Sequence, residues 1–116
     1  MQRELRPLKA LRVRRLEDLG RLAAMMSSMG QPVYIIHFEH EGRHIYGIFM
    51  IYKDYYNLYG IPIFYYYETE RPLDGNYLLV KVDENGETVT ASGGVRPGWM
   101  HAPIISLERK PDFIEL

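Results

Sequence analysis

Cysteine is absent from the 116 residues. That excludes disulfide scaffolds, thiolate zinc sites and thiol nucleophiles. Long apolar runs are missing too, and nothing approaches the roughly 20 residues that a helix needs to cross a bilayer. The opening MQRELRPLKALRVRR has no apolar stretch of the kind a secretory leader carries, so the expected setting is the cytoplasm. Amides are scarce: Gln2, Gln31, Asn57, Asn76 and Asn85 are all there are. Serine and threonine are sparse as well, a bias that leans toward a thermophilic source. Neither sign of charge dominates, because 14 Lys and Arg face 15 Asp and Glu. The chain as a whole is therefore not a polyanion coat.

What is present reads as one ordinary globular domain spanning 1–116, with 47% hydrophobic and 25% charged residues. Charge is unevenly spread. Residues 1–21 hold seven cations against three anions, a local +4, which leaves −5 for the remainder. A basic segment joined to a mildly acidic body suggests a reaching arm. We assign residues 1–13 to such an extended arm, since Pro7 disfavours helix at Arg6.

Leu16, Leu19, Leu22, Ala23 and Met26 recur at helical spacing, which predicts an amphipathic helix over 16–29. Glu17 and Asp18 suit its first turn, and Gly30 with Pro32 supplies the stop. Gly20 is an awkward residue inside that run. Residues 33–108 then turn to β-branched and aromatic types. Glu41-Gly42 is a tight-turn signal that sets His40 opposite Arg43, Phe38 opposite Ile45 and Ile35 opposite Ile48. Further strands are expected from Ile61 to Thr69, Tyr77 to Val82, Glu87 to Ala91 and Pro103 to Leu107, with 109–116 as a tail. Leu78, Val80 and Val82 should face inward, and Leu19, Leu22 and Met26 should pack on Ile36 and Val80. The expected fold class is α+β: one amphipathic helix packed on an antiparallel meander of five to six strands.

Several constellations could carry function. Arg12, Arg14 and Arg15 of the arm suit phosphate, which arginine grips in bidentate fashion. Tyr55, Tyr56 and Tyr59 fall in an aromatic loop, where exposed rings can stack on bases or anchor a partner. Gly93, Gly94, Arg96 and His101 form a candidate anion site, its loop N–H groups and guanidinium turned on a phosphate. That loop lacks the ending of a P-loop and matches no dinucleotide fingerprint. His37, Glu39 and His44 share a face near a hairpin tip, with His40 behind. Those residue types suit zinc, but a solvated polar tip accounts for them and we assign no metal. The four serines include no nucleophile-elbow motif, so no catalytic residue and no cofactor is assigned.

The expectation is a small non-catalytic binding protein, associated with RNA or ribonucleoprotein through arm and tyrosines. One alternative is a protein-interaction module or homodimer without nucleic acid. A second is a ligand binder or enzyme around Arg96, Trp99 and His101. Internal ion pairs from Arg12, Arg14 and Arg15 to body carboxylates such as Glu68 and Glu70 would put protein ahead of nucleic acid as partner.

Overall fold

A computed structural model describes residues 8–50 and 63–116. Nine elements follow one another: β1 (Leu8–Arg12), α1 (Leu16–Ser28), β2 (Ile35–His40), β3 (Arg43–Met50), β4 (Ile63–Thr69), β5 (Tyr77–Val82), β6 (Thr88–Gly93), β7 (Met100–Ser106) and β8 (Ile114–Glu115). The α+β class is as expected, with one helix packed on a sheet. The sheet itself is larger than expected and mixed, with eight strands in the order β6-β5-β7-β2-β3-β4-β1-β8.

Two departures from the meander explain the difference. β7 inserts between β5 and β2 and runs parallel to β2. The supposed arm contributes β1, which runs parallel to β4 with Ala10 beside Phe64 and Arg12 beside Tyr66. Leu8 and Ala10 alternate onto one face and reach the second apolar cluster, so burial holds this segment against β4. The supposed tail adds β8 outside β1, where Ile114 is fully buried.

The β2–β3 hairpin has the expected register, Phe38 to Ile45 and His40 to Arg43. Glu41 and Gly42 both have positive φ, 51° and 78°, the pairing of a two-residue turn whose twist matches the strands. In the β5–β6 hairpin Val82 pairs with Thr88. The Asp83 carboxylate accepts the N–H groups of Asn85 and Glu87 at 2.8 and 2.9 Å and closes that loop. α1 begins without a side-chain cap, and Glu17 and Asp18 stabilise its first turn. It ends in a Schellman pair, Gly30 N–H to Ser27 and Gln31 N–H to Met26, both 3.0 Å.

The helix lies across β5 and β6 and reaches β3 and β4. Leu19, Ala23 and Met26 are buried there with Ile35, Tyr46, Ile48, Leu78, Val80 and Ala102. Leu22 is only half-buried at the margin. Ile36 was expected beneath the helix, but it belongs to the opposite face and Ile35 takes its place. Val82 is exposed, whereas Leu79 is fully buried.

The opposite face buries Leu8, Phe38, Ile45, Phe64 and Ile114, with no helix on it among the described residues. Aromatic rings form its cover: Phe64 lies against Tyr66, Phe49 and Phe38, and Phe113 closes on Phe49 at 5.9 Å. Gly47 makes room for this layer, because a Cβ there would stand 1.9 Å from the Phe64 ring.

Candidate functional site

The arginines of the first segment are partly engaged within the fold. Arg12 meets Glu68 at 3.0 Å, and Arg43 meets the same carboxylate at 3.0 Å and Glu70 at 3.3 Å. The pairing follows from the register, which puts Glu68 on the same sheet face as Arg12 and Arg43. Arg15, the N-cap residue of α1, is 3.7 Å from Asp18 in the first turn. Arg14 has no ion pair among the described residues. Tyr55, Tyr56 and Tyr59 lie outside the described residues.

The second set does come together. The loop after β6 crosses the end of β5 to reach β7. In it, the Arg96 N–H donates to Nε2 of His101 at 2.9 Å. Trp99 takes the Arg96 guanidinium at 5.2 Å and the Lys81 ammonium at 4.7 Å, and Tyr77 meets His101 edge-on at 5.7 Å. Gly93 and Gly94 precede this cluster. As an anion cradle it is weakened, because His101 already occupies the Arg96 N–H. Among the described cavities, none is lined by Arg96, Trp99 and His101; Arg96 is exposed, and Trp99 and His101 are half-buried. Lys81 and Tyr77 were not legible as members. Their place depends on the β5–β7 pairing.

The third set is more ordered than a solvated tip. His37 and His44 lie on the helix side of β2 and β3, with Nε2 of His37 2.9 Å from Nδ1 of His44. The outer nitrogen of His37 meets the Ser106 hydroxyl at 2.9 Å, and that of His44 lies 3.6 Å from Glu39. The ring planes differ by 16° and the centroids are 5.2 Å apart. That separation equals the nitrogen contact plus two ring radii, so the nitrogens point straight at each other. Lone pairs in line share a proton; they do not converge on a third point as metal ligands must. Among the described residues no group of three or more acidic or His side chains is arranged to hold a metal ion.

Tyr46 supports the set. Its ring stacks on His37 at 4.4 Å, and its hydroxyl accepts the Leu73 N–H at 2.9 Å. Burial holds His37 below the ordinary histidine value; the charge of His44 adds to this and Glu39 opposes it. Burial also raises Tyr46, against the opposing Leu73 hydrogen bond. Ser106, the last residue of β7, was missed by sequence reasoning because its partner lies 69 residues away on a parallel strand.

Among the described residues no helix is long and apolar enough to cross a membrane. No family model matches this chain, and neither does any curated protein or solved structure compared with it.

Proposed function

We propose that this chain is a small binding protein whose partner is another protein, met by strand addition at the free edge of β6, with a second copy of the chain as the simplest partner. The observation that carries this reading is the edge itself. Among the described residues β6 ends the sheet, and Thr88-Val-Thr-Ala-Ser-Gly93 contains no charge and no proline. Natural edges are normally blunted by such residues, because unpaired N–H and C=O groups recruit other strands. Antiparallel pairing of two copies about a twofold axis would bring Thr90 opposite Ala91 and create no like-charge contact. The ion pair of Arg12 with Glu68 supports the same ordering, since a cation held by a body carboxylate attracts phosphate less.

The test is mass by light scattering, with and without nuclease. A doubled mass that nuclease leaves unchanged is expected. The double substitution V89K/A91K places charges along the edge and should return the monomer mass. A parent that is monomeric at all workable concentrations refutes self-pairing.

RNA is the second reading, favoured by the Trp99 cluster. Trp99 brings an aromatic ring together with two phosphate-binding cations, Lys81 and Arg96. On that reading the parent copurifies with material absorbing in the nucleic-acid band, released by salt. W99A should then weaken a single-stranded RNA by roughly 1–3 kcal/mol.

A further inference from the structure

The four groups Ser106, His37, His44 and Glu39 form one line of contacts, at 2.9, 2.9 and 3.6 Å in turn. Its polarity follows from the only member that cannot donate. At 3.6 Å the Glu39 carboxylate is beyond hydrogen-bond length and acts as a charge, favouring the His44 tautomer whose N–H, at Nε2, faces it. Neutral His44 then has a lone pair at Nδ1, which must receive the N–H from Nε2 of His37. That leaves a lone pair at Nδ1 of His37, which faces the Ser106 oxygen and accepts its hydroxyl proton. Each tautomer is set by the next, and the anion at one end turns every donor away from the serine. Burial keeps His37 unprotonated at neutral pH, so the lone pair is available. Ser106 itself is exposed at the end of β7.

We propose that Ser106 is an activated nucleophile that accepts an acyl group from activated esters, with His37 as its general base and His44 and Glu39 as positioning residues. The Ser106 Oγ forms a bond to the ester carbonyl carbon as the hydroxyl proton moves to Nδ1 of His37. The bond from that carbon to the leaving oxygen breaks, and the leaving group departs as a phenolate. The His37 imidazolium releases its proton to solvent; water then attacks the acyl carbonyl as His37 takes a water proton, and that proton passes to Oγ as its bond to the acyl carbon breaks, releasing the acid and free Ser106.

The substrate class follows from the neighbouring backbone. The Leu107 N–H, the donor next to the nucleophile, is already given to the His37 carbonyl at 2.7 Å. It is not free to stabilise an oxyanion, and donors of that kind are worth roughly 10²–10³ in rate. Esters with good leaving groups are therefore within reach, and amides are not. This site lies on the helix side of β2 and β7, apart from the β6 edge, and does not depend on how β6 is paired.

The test uses the full chain with p-nitrophenyl acetate. A burst of about one equivalent of p-nitrophenolate is expected, with one acetyl group located on Ser106 by fragmentation. S106A should abolish the burst, and H37Q should slow acylation by roughly 10²-fold or more. H44Q and E39Q should slow it less and change its pH profile, and E39D should recover part of the E39Q loss. Acetylation found only on lysine or histidine, or a burst unchanged in S106A, overturns the proposal.

A second measurement exploits the absence of cysteine. S106C carries a single thiol, and its alkylation by iodoacetamide reports the local base directly. Reaction should persist well below the usual thiol range near pH 8.5 and return to that range in S106C/H37Q. An ordinary thiol profile in S106C alone overturns the proposal, even where the ester assay is too slow to read.

Discussion

Replacing Gly20 by alanine should destabilise the fold, although helices ordinarily gain from that exchange. Alanine improves an interior helix position by about 1 kcal/mol. At Gly20, however, a Cβ would stand 1.8 Å from the Thr90 Oγ1 and 2.8 Å from its Cβ and Cγ2. Rotation of Thr90 exchanges one branch for the other and leaves its Cβ where it was, and β-branched side chains are stiff in any case. The helix must therefore lift from β6, and Leu19 and Ala23 lift with it. Overpacking of this kind costs roughly 1–3 kcal/mol, and an overlap this large belongs near or above the top of that range, so the net loss should be about 2 kcal/mol. In urea that lowers the midpoint by about 1 M at a typical slope. Thr90 also keeps a hydroxyl sealed from solvent with no hydrogen-bond partner among the described residues. T90A should thus be close to neutral, the relieved hydroxyl offsetting about one methyl of lost burial. The double variant keeps the 2.8 Å Cβ approach and recovers only part of the G20A loss, with a favourable coupling of about 1 kcal/mol. A G20A midpoint at or above the parent's, or strict additivity in the cycle, would refute this account of helix docking.

Four further outcomes are expected. L19A should lose about 2–5 kcal/mol in urea unfolding, and L22A clearly less, because Leu19 is fully buried and Leu22 is not. Y46F removes the acceptor of the Leu73 N–H and should lower stability by about 1 kcal/mol, with no change in unfolding slope. E68Q leaves Arg12 and Arg43 without their shared carboxylate and should lose roughly 1 kcal/mol at low salt, shrinking as salt is added. His37 is held below its unfolded value of 6.5, so between the two values the unfolded chain binds a proton that the folded chain does not. Its contribution is therefore present above pH 6.5 and is lost as pH falls through the folded value. Urea midpoints measured from neutral pH down should drop in that window, and H37Q should flatten the drop.

The sequence was most legible where structure is local. Apolar spacing and the Gly30–Pro32 stop located the helix, and Glu41-Gly42 located the hairpin register to the residue. Legibility failed where strands pair across long separations. The alternation of Leu8 and Ala10 is diluted by arginine and lysine, and its meaning depends on Phe64, a partner that no local window contains. Ile36 and Ile35 are adjacent and equally apolar, so choosing which one meets the helix required the sheet's other face to be known. Among the described residues no helix announces that face; it is a layer of phenylalanine rings over Gly47. The same limit applied to the site. His37, Glu39 and His44 could be grouped from the hairpin, but Ser106 could not.

The position of Ser106 is nonetheless fixed by ordinary hydrophobic patterning. β7 reads Met-His-Ala-Pro-Ile-Ile-Ser, with Ala102 buried under the helix and Ile104 packed at the edge of that cluster. In a strand, residues two apart share a face, so Ser106 must follow Ala102 and Ile104 onto the helix side. The parallel register then sets Ile104 beside Ile35 and Ser106 beside His37. A slip of one residue would turn Ile104 to the other face and Ile105 inward, which burial opposes. A slip of two would keep the faces but break the Leu107 N–H bond to the His37 carbonyl. The contacts that secure the core therefore also hold the serine at hydrogen-bond distance from the imidazole. Substitutions that loosen Ile104 or Ala102 should disturb the chemistry of Ser106 without touching any member of the relay.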